Sequence, residues 1–180
     1  MRKFEKISKE QWLKDTSLET ILIAKQEVNS EGASIEVNKV IDVYDECIQL
    51  PQRSTTRSAG YDLISPIDAE IPPHSQMMIP SGLKVNMEAD DVMFIIIRSS
   101  LGIKKGLSIP NQTGVIDSDY YNNPDNEGHF WICLRNNNDT PYKINRGDRI
   151  SQAIFLKYST TADDQPISNS RNGGFGSTGV

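Results

Sequence analysis

The sequence is poor in the residues from which metal centres and disulfide networks are built. It has two cysteines, Cys47 and Cys133, and two histidines, His74 and His129, among 180 residues. A zinc site needs about four nitrogen or sulfur ligands, or three and a water, at suitable spacing, and these residues do not supply it. The pattern therefore argues against a zinc-dependent deaminase. Two lone cysteines are most simply buried thiols in a reducing compartment.

A long apolar run, an apolar signal core and a basic stripe are also missing. A bilayer span needs about 20 mainly apolar residues, and no segment approaches that length. The net charge is −5 and the pI is about 5.1, so sequence-independent binding to nucleic acid is not expected. Local arginines can still bind a small anionic substrate. We expect one soluble, cytoplasmic domain with a sizeable core and with no membrane or nucleic-acid partner.

Residues 1–33 differ in pattern from the rest of the chain. Ser8 and Gln11 fit a capping box, in which Ser8 caps a short helix over residues 9–14 and the Gln11 side chain reaches back to the cap. Trp12 would lie on a partly apolar face of that helix. We expect Trp12 to pack against the domain or against a neighbouring subunit, without a chemical role.

From residue 35 onward, apolar residues recur with a period of two, which indicates β-strands. Strand-like runs cover residues 76–79, 83–87, 92–97, 129–134 and 150–156. Clusters of Pro, Gly, Asn and Asp between them predict turns. Many short strands at close spacing predict an all-β sandwich or barrel. Residues 92–97 are apolar throughout, which predicts burial on both faces, as at a subunit contact. Residues 18–26 fit either a helix or a strand, and their β-branched residues favour a strand.

One stretch, residues 111–120 with the sequence NQTGVIDSDY, has two carboxylates and a tyrosine after a β-branched pair. Asp117 could activate a water, Gly114 lets the backbone approach a ligand closely, and Tyr120 could pack on a nucleoside. The same residue types are ordinary in turns. A polar turn with a solvated pair of aspartates is the simpler interpretation when the stretch is taken alone.

Four further segments accompany this stretch. They are AGYDL at 59–63, RSSLG at 98–102, RGDRISQ at 146–152 and GGFGSTGV at 173–180. In their order along the chain, the five segments resemble those of the trimeric all-β dUTPase family, and the resemblance covers residues 34–180. It implies a homotrimer of distorted jelly-roll β-barrels. The barrel domain would span 34–160, after an N-terminal extension at 1–33 and before a closing glycine-rich lid at 161–180.

The reaction implied by the resemblance is hydrolysis of dUTP to dUMP and pyrophosphate, with Mg²⁺-assisted attack of water on the α-phosphorus. Asp117 occupies the position of the family's general base. Asn111 and Gly114 match the residues that recognise the base, because an Asn side chain offers both a donor and an acceptor to the uracil edge. Tyr120 matches the ring that lies under the deoxyribose and leaves no room for a 2′-hydroxyl.

The resemblance also assigns the phosphate chain and the metal. Arg98, Ser99 and Ser100 combine a fork-shaped cation, hydroxyls and backbone N–H groups, which suits phosphate. Asp62 and Gln152 match residues that contact the water shell of magnesium. Because Mg²⁺ commonly keeps several waters and binds phosphate oxygens, we expect it to be held mainly by the substrate, without a tight metal site in the free protein.

The C-terminal tail resembles a lid that is mobile when the site is empty. Phe175 would stack on the uracil, while Gly176, Ser177 and Thr178 would clamp the γ-phosphate through N–H groups and hydroxyls. Arg171 would add positive charge near the phosphates, although the usual family spelling has one more residue between this arginine and Gly-Gly-Phe.

Two alternatives are compatible with parts of this pattern. A dCTP deaminase shares the fold and the Arg-Ser-Ser segment, but lacks the Asp-Ser-Asp-Tyr stretch and the tail. A nucleotide-gated regulatory trimer would use residues 1–33 or the loop 121–128 to bind a protein partner. That loop is longer than the family's usual tight turn, and we expect it to protrude. We also expect Asp148 and Arg149 to hold each other.

Overall fold

The computed structural model of the chain describes residues 1–16, 34–35 and 44–166. Within these residues the strands are β1 (Lys3–Lys6), β2 (Ser34–Ile35), β3 (Gln52–Arg53), β4 (Tyr61–Ile64), β5 (Ala69–Ile71), β6 (Gln76–Pro80), β7 (Leu83–Asn86), β8 (Asp91–Ile97), β9 (Leu107–Ser108), β10 (Gly114–Asp117), β11 (Trp131–Asn136), β12 (Tyr142–Ile144) and β13 (Arg149–Lys157). The helices are α1 (Lys9–Asp15), α2 (Tyr44–Cys47) and α3 (Ser99–Lys105), with a 3-10 turn at Ser118–Tyr120. None of these helices is long and apolar enough to cross a membrane.

The strands form antiparallel sheets, which confirms the prediction of an all-β fold. The largest sheet has the order β10-β8-β13-β4-β3, and smaller sheets have the orders β6-β11-β9, β12-β5-β2 and β1-β7. The predicted strand runs correspond to β6, β7, β8, β11 and β13. Alternating apolar residues from these strands meet in one core, which includes Met77, Ile79, Met93, Ile132 and Leu134. The period-two pattern therefore predicted the strands that build the core.

Strand β8 lies between β10 and β13 in the largest sheet. Met93 and Ile95 are buried, while Phe94, Ile96 and Ile97 on or near the other face stay partly exposed. The predicted burial on both faces is thus incomplete in the single chain, and a subunit contact at this face stays a prediction. The position of β8 matters for function because strands on either side of it contribute predicted site residues.

The N-terminal segment is bound to the core through β1 and α1. Ser8 caps α1 as predicted, since the Gln11 backbone N–H donates to Ser8 Oγ at 3.0 Å. The predicted return contact from the Gln11 side chain is wrong: its Nε2 donates to Asp15 Oδ1 at 2.7 Å. The Ser8 N–H donates instead to Glu127 Oε2 at 3.1 Å. Trp12 is fully buried in the core, which fits the expectation that it packs against the domain.

The loop at 121–128 does not protrude, contrary to the prediction. It closes on itself, because the Asn122 N–H donates to the Glu127 carbonyl at 3.0 Å. It also binds the rest of the chain, since the Glu127 carboxylate accepts from Ser8 Oγ at 2.5 Å and from Lys84 Nζ at 3.1 Å. The loop is held down because its polar side chains find partners on α1 and β7. A protein partner at this loop or at residues 1–33 stays a prediction.

His129, directly after this loop, is fully buried beside α1. Its Nδ1 lies 2.6 Å from Asp15 Oδ2, and its Nε2 accepts from the Gly82 N–H at 2.9 Å. An imidazole nitrogen that accepts a hydrogen bond carries no proton, so the ring is neutral. Burial accordingly lowers the pKa of His129 below its ordinary value of 6.5.

Acid should destabilise the protein through His129. Since the pKa of His129 is depressed in the folded state, the unfolded chain takes up the proton first, and stability should fall as the pH drops below about 6.5. The urea midpoint measured from pH 8 to pH 5 should decline for the wild type. His129→Gln should lower the midpoint at pH 8 but flatten its pH dependence. The same slope in both proteins would assign the acid sensitivity to other groups.

Candidate functional site

The stretch 111–120 borders a pocket of about 280 Å³. Four of the predicted site residues line this pocket: Asn111, Gly114, Asp117 and Tyr120. The remaining lining is mainly apolar and comes from Met78, Ile95, Ile109, Val115, Ile116, Phe130, Trp131, Ile132 and Cys133. A small apolar pocket with a few convergent polar groups is the usual form of a small-molecule site.

Edge strand β10 and the turn before it present the polar groups of the pocket. Gly114 pairs with Ile95 of β8, and a Cβ at Gly114 would lie only 3.2 Å from the Ile95 Cβ. The turn contains Gln112 with a positive φ of 66°, a conformation that non-glycine residues rarely adopt and that is often found at functional sites. It leaves the neighbouring Asn111 exposed to a ligand. The local interpretation as a polar turn is correct for residues 110–113, whereas Gly114–Asp117 form strand β10 and Asp117 is half-buried.

Asp117 and Tyr120 occupy the two ends of the short turn that follows β10. Asp117 pairs across the sheet with Val92 of β8 and is half-buried at the pocket. Tyr120 is 5% exposed. Its hydroxyl donates to the His129 carbonyl at 3.1 Å and accepts from Asn126 Nδ2 at 2.7 Å. Asp117 and Tyr120 thus line the same pocket from the two ends of one turn.

Arg98, one of the predicted phosphate residues, belongs to a second cluster, which surrounds Asp62. Arg98 Nε lies 3.0 Å from Asp62 Oδ1, and Arg149 Nη1 donates to Asp62 Oδ2 at 3.2 Å. Ser54 Oγ also donates to Oδ2, at 2.9 Å. The expected pairing of Asp148 with Arg149 is wrong: Asp148 accepts from the Asn145 N–H at 2.8 Å. Arg149 turns to Asp62 because strand β13 runs beside β4.

Ser99 and Ser100 form the first turn of α3, for which Arg98 is the N-cap residue, and both serines are exposed. Their hydroxyls and N–H groups are open to an anion at this end of the helix. Phosphate binding by Arg98, Ser99 and Ser100 stays a prediction.

Gln152 lies opposite Asp62 in the β13–β4 register. A Cβ at Gly60 would stand 2.2 Å from Gln152 Oε1, so the glycine makes room for this side chain. The two residues predicted near the metal are therefore brought together. In the described residues, no group of three or more His, Cys, Asp or Glu side chains could hold a metal ion. One carboxylate and one amide suit contact with metal-bound water, whereas a direct protein cage for Mg²⁺ needs more oxygen ligands.

The tail residues of the prediction lie outside the described residues. They are Arg171, Phe175, Gly176, Ser177 and Thr178.

Sequence reasoning missed the residues that close the pocket from the β11 side. Residues 129–134 were recognised only as a strand, yet Phe130, Trp131 and Cys133 line the pocket. Burial raises the pKa of the Cys133 thiol to about 11, so it contributes a neutral wall. Asn126 and His129, the partners of Tyr120, were also missed. Their only signal was the unusual length of the loop.

Comparison with known proteins agrees with this geometry. A family model described as dUTPase matches residues 46–179. The deoxyuridine 5'-triphosphate nucleotidohydrolase of Lactococcus lactis subsp. lactis is 44% identical over 134 residues, which is 74% of this chain and 89% of that protein.

Solved structures agree as well. A crystal structure of dUTPase from Streptococcus mutans has a TM-score of 0.62 at 37% identity, and the match covers 73% of this chain and 98% of that one. A dUTPase from phage phi11 of S. aureus shares the fold, with a TM-score of 0.57 at 21% identity over 77% of this chain and 99% of that one. These matches confirm the predicted jelly-roll fold class. Since the family model covers well over half of the sequence, the chain belongs to the dUTPase family, the deoxyuridine 5'-triphosphate nucleotidohydrolases.

Proposed function

We propose that the chain hydrolyses dUTP to dUMP and pyrophosphate by water attack on the α-phosphorus, with Asp117 as the general base. The observation that carries this proposal is the pocket in which Asp117 stands beside Asn111, Gly114 and Tyr120. A carboxylate there can take a proton from a water next to the phosphate while the nucleoside fills the apolar part. As a dUTP diphosphatase, the chain does not belong to the dCTP deaminases considered as an alternative.

In this proposal the pocket recognises the nucleoside by shape and by one amide. Asn111 is exposed at the pocket, and its side chain can donate to and accept from the uracil edge. Gly114 keeps the β10 backbone close to the base. The buried Tyr120 ring forms the wall against the sugar, and its position decides whether a 2′-hydroxyl fits.

The Asp62 cluster is proposed to bind the triphosphate. Arg98 and Arg149 share the Asp62 carboxylate, which holds both guanidinium groups in place before the anion arrives. The helix-start hydroxyls of Ser99 and Ser100 add donors. Magnesium, carried mainly by the substrate, would neutralise phosphate charge, and Gln152 and Asp62 would contact it through water. A phage phi11 dUTPase of the same fold coordinates a structural Mg(II) ion.

A homotrimer with shared sites is the proposed working unit. Asp117 pairs with Val92 at the start of β8, whereas Arg98 follows the last residue of that strand. The two positions are six residue steps apart along the strand, which is about 20 Å at ~3.3 Å per residue. This is farther than one triphosphate extends from its α-phosphorus. The base and the phosphate cluster that serve one dUTP would therefore come from different subunits.

Pyrophosphate release from dUTP, dCTP, dTTP and UTP, with and without Mg²⁺, tests the proposal directly. We expect rapid release from dUTP alone and loss of turnover when Mg²⁺ is chelated. Equal turnover of dUTP and UTP would contradict the proposed exclusion of a 2′-hydroxyl. Turnover without Mg²⁺ would contradict the proposed role of the metal.

Asp62→Asn should raise the KM for dUTP about tenfold at saturating Mg²⁺, because both guanidinium groups lose the charge that orients them. Ser54→Ala is the matched control, since it removes a neutral contact to the same carboxylate and leaves both ion pairs. It should change the KM much less. An unchanged KM together with a raised Mg²⁺ requirement in Asp62→Asn would place the role of Asp62 at the metal instead of at the arginines.

A further inference from the structure

We propose that Asn126 and His129 position the Tyr120 ring, which makes the loop 121–128 part of the selection of deoxyribose over ribose. The inference rests on the proposed role of Tyr120 as the sugar wall. Asn126 and His129 act through Tyr120 and are positioning residues, because neither needs to touch the nucleotide.

The Tyr120 hydroxyl is held in a closed triangle of hydrogen bonds. It donates to the His129 carbonyl at 3.1 Å and accepts from Asn126 Nδ2 at 2.7 Å. Asn126 Nδ2 also donates to the same carbonyl, at 3.2 Å. Since the far end of the ring is tied at two points, the ring cannot tilt away from the pocket without breaking a buried hydrogen bond.

The Asn126 side chain is itself fixed by the loop. Its Oδ1 accepts from Asn123 Nδ2 at 2.8 Å and from the Gly128 N–H at 3.0 Å. Asn123, which is 5% exposed, also donates from Nδ2 to the Tyr120 carbonyl at 2.9 Å. The loop thus binds both the backbone and the hydroxyl of Tyr120. A flipped Asn126 amide would place donors against donors.

Gly128 shows how closely the loop lies against Tyr120. It has a φ of +83°, and a Cβ there would stand 2.6 Å from the Tyr120 carbonyl oxygen and 3.0 Å from Tyr121 Cα. Both are backbone atoms, which cannot turn aside as a flexible side chain would. The glycine is therefore required for this close approach.

The His129 carbonyl is fixed in turn by the buried His129 side chain. The imidazole lies 2.6 Å from Asp15 through Nδ1 and accepts from the Gly82 N–H through Nε2. Asp15 belongs to α1. Helix α1 is therefore linked to Tyr120 by the contact of Asp15 with His129 and by the hydrogen bond of the Tyr120 hydroxyl to the His129 carbonyl.

Exclusion of a single hydroxyl depends on the exact position of this wall. Recognition groups must be held to within about 0.5 Å of their working position. A Tyr120 ring that recedes by more than this makes room for a 2′-hydroxyl. Loss of the hydrogen bonds to the Tyr120 hydroxyl should therefore reduce the preference for dUTP over UTP more than it reduces the stability of the fold or kcat for dUTP.

The test compares kcat/KM for dUTP with kcat/KM for UTP in Asn126→Asp. This isosteric change keeps the acceptor that holds Asn123 and Gly128, but it puts a carboxylate oxygen where Nδ2 donates to Tyr120 and His129. The dUTP/UTP ratio should fall about tenfold. In a Tyr120→Phe background, which lacks the hydroxyl, the same change should cost clearly less.

Two further variants provide a second test of the proposal and a control. Asp15→Asn leaves the pocket and the loop unchanged and should lower the same ratio to a smaller extent, so it still tests the idea if Asn126→Asp does not fold. Asn137→Asp is the matched control, because its Nδ2 donates to groups that do not contact Tyr120, namely the Gly106 carbonyl and Ser108 Oγ. It should keep the wild-type ratio.

The outcomes separate this inference from the function on which it rests. If Tyr120→Ala loses the preference for dUTP while folded Asn126→Asp and Asp15→Asn keep it, the loop has only a structural role and the inference fails. If Tyr120→Ala keeps the full preference, the sugar wall lies elsewhere and the proposed role of Tyr120 fails with it.

Discussion

Asp117→Asn should bind dUTP with nearly unchanged affinity and lose roughly 10²–10⁴-fold in kcat. Asparagine has the shape of aspartate and preserves the turn after β10, but its amide cannot accept a proton from water. Because Asp117 lies at the pocket and is held by the antiparallel pairing of β10 with β8, the substitution changes the chemistry at a fixed position. Loss of water orientation would add to the loss of the base.

Single-turnover measurements and binding of a non-hydrolysable dUTP analogue separate the two effects. Asp139→Asn is the control for the change of charge, since Asp139 is exposed and pairs with His74, away from the residues that line the pocket. It should behave as the wild type. Turnover at the wild-type rate in Asp117→Asn would contradict the assignment of Asp117 as the general base. Loss of analogue binding would indicate that Asp117 is needed for the structure of the site.

Deletion of residues 171–180 should leave the protein folded while kcat/KM for dUTP falls by roughly 10²-fold or more. In the described residues, the buried apolar core extends from Ile7 to Ala153. The segment has one large aromatic residue, Phe175, and a set of hydroxyl and N–H donors. These are suited to stacking on a base and to binding phosphate. Thermal melting should therefore be unchanged when catalysis collapses.

Mixing the two inactive variants tests whether sites are shared between subunits. Chains with Asp117→Asn supply an intact tail, and truncated chains supply an intact base. Co-refolded mixtures should recover part of the activity if one site uses residues of several chains. Full activity in the truncated protein would contradict the lid, and no recovery in verified mixed trimers would contradict shared sites.

The sequence by itself determined the features that depend on neighbours along the chain. The period of two predicted β6, β8 and β13, and the residues that follow Ser8 predicted its capping of α1. The stretch 111–120 contains its own turn, strand and second turn, so its functional residues lie close together along the chain. These features depend on residues only a few positions apart, so the local sequence is enough to predict them.

Only the tertiary structure decided which polar groups form hydrogen bonds and ion pairs with each other. Glu127, 119 positions from Ser8, accepts from the Ser8 N–H, which is the contact that the capping box predicts for the Gln11 side chain. Asp62 lies 87 positions from Arg149, and the pairing of β4 with β13 brings them together. Sequence spacing carries no information on such competition.

The same reason explains the pocket wall and the loop. Strand β11 belongs to a different sheet from β10, yet it contributes residues such as Trp131 to the same pocket. A strand pattern alone cannot show this. The loop 121–128 was predicted to protrude because it is longer than the usual tight turn of the family. It instead folds back onto Tyr120, since Asn123 and Asn126 find buried partners there. A hydrogen bond is stronger in the protein interior than in water, so a buried asparagine can hold a loop that its composition alone would leave in solvent. Burial is a property of the whole fold.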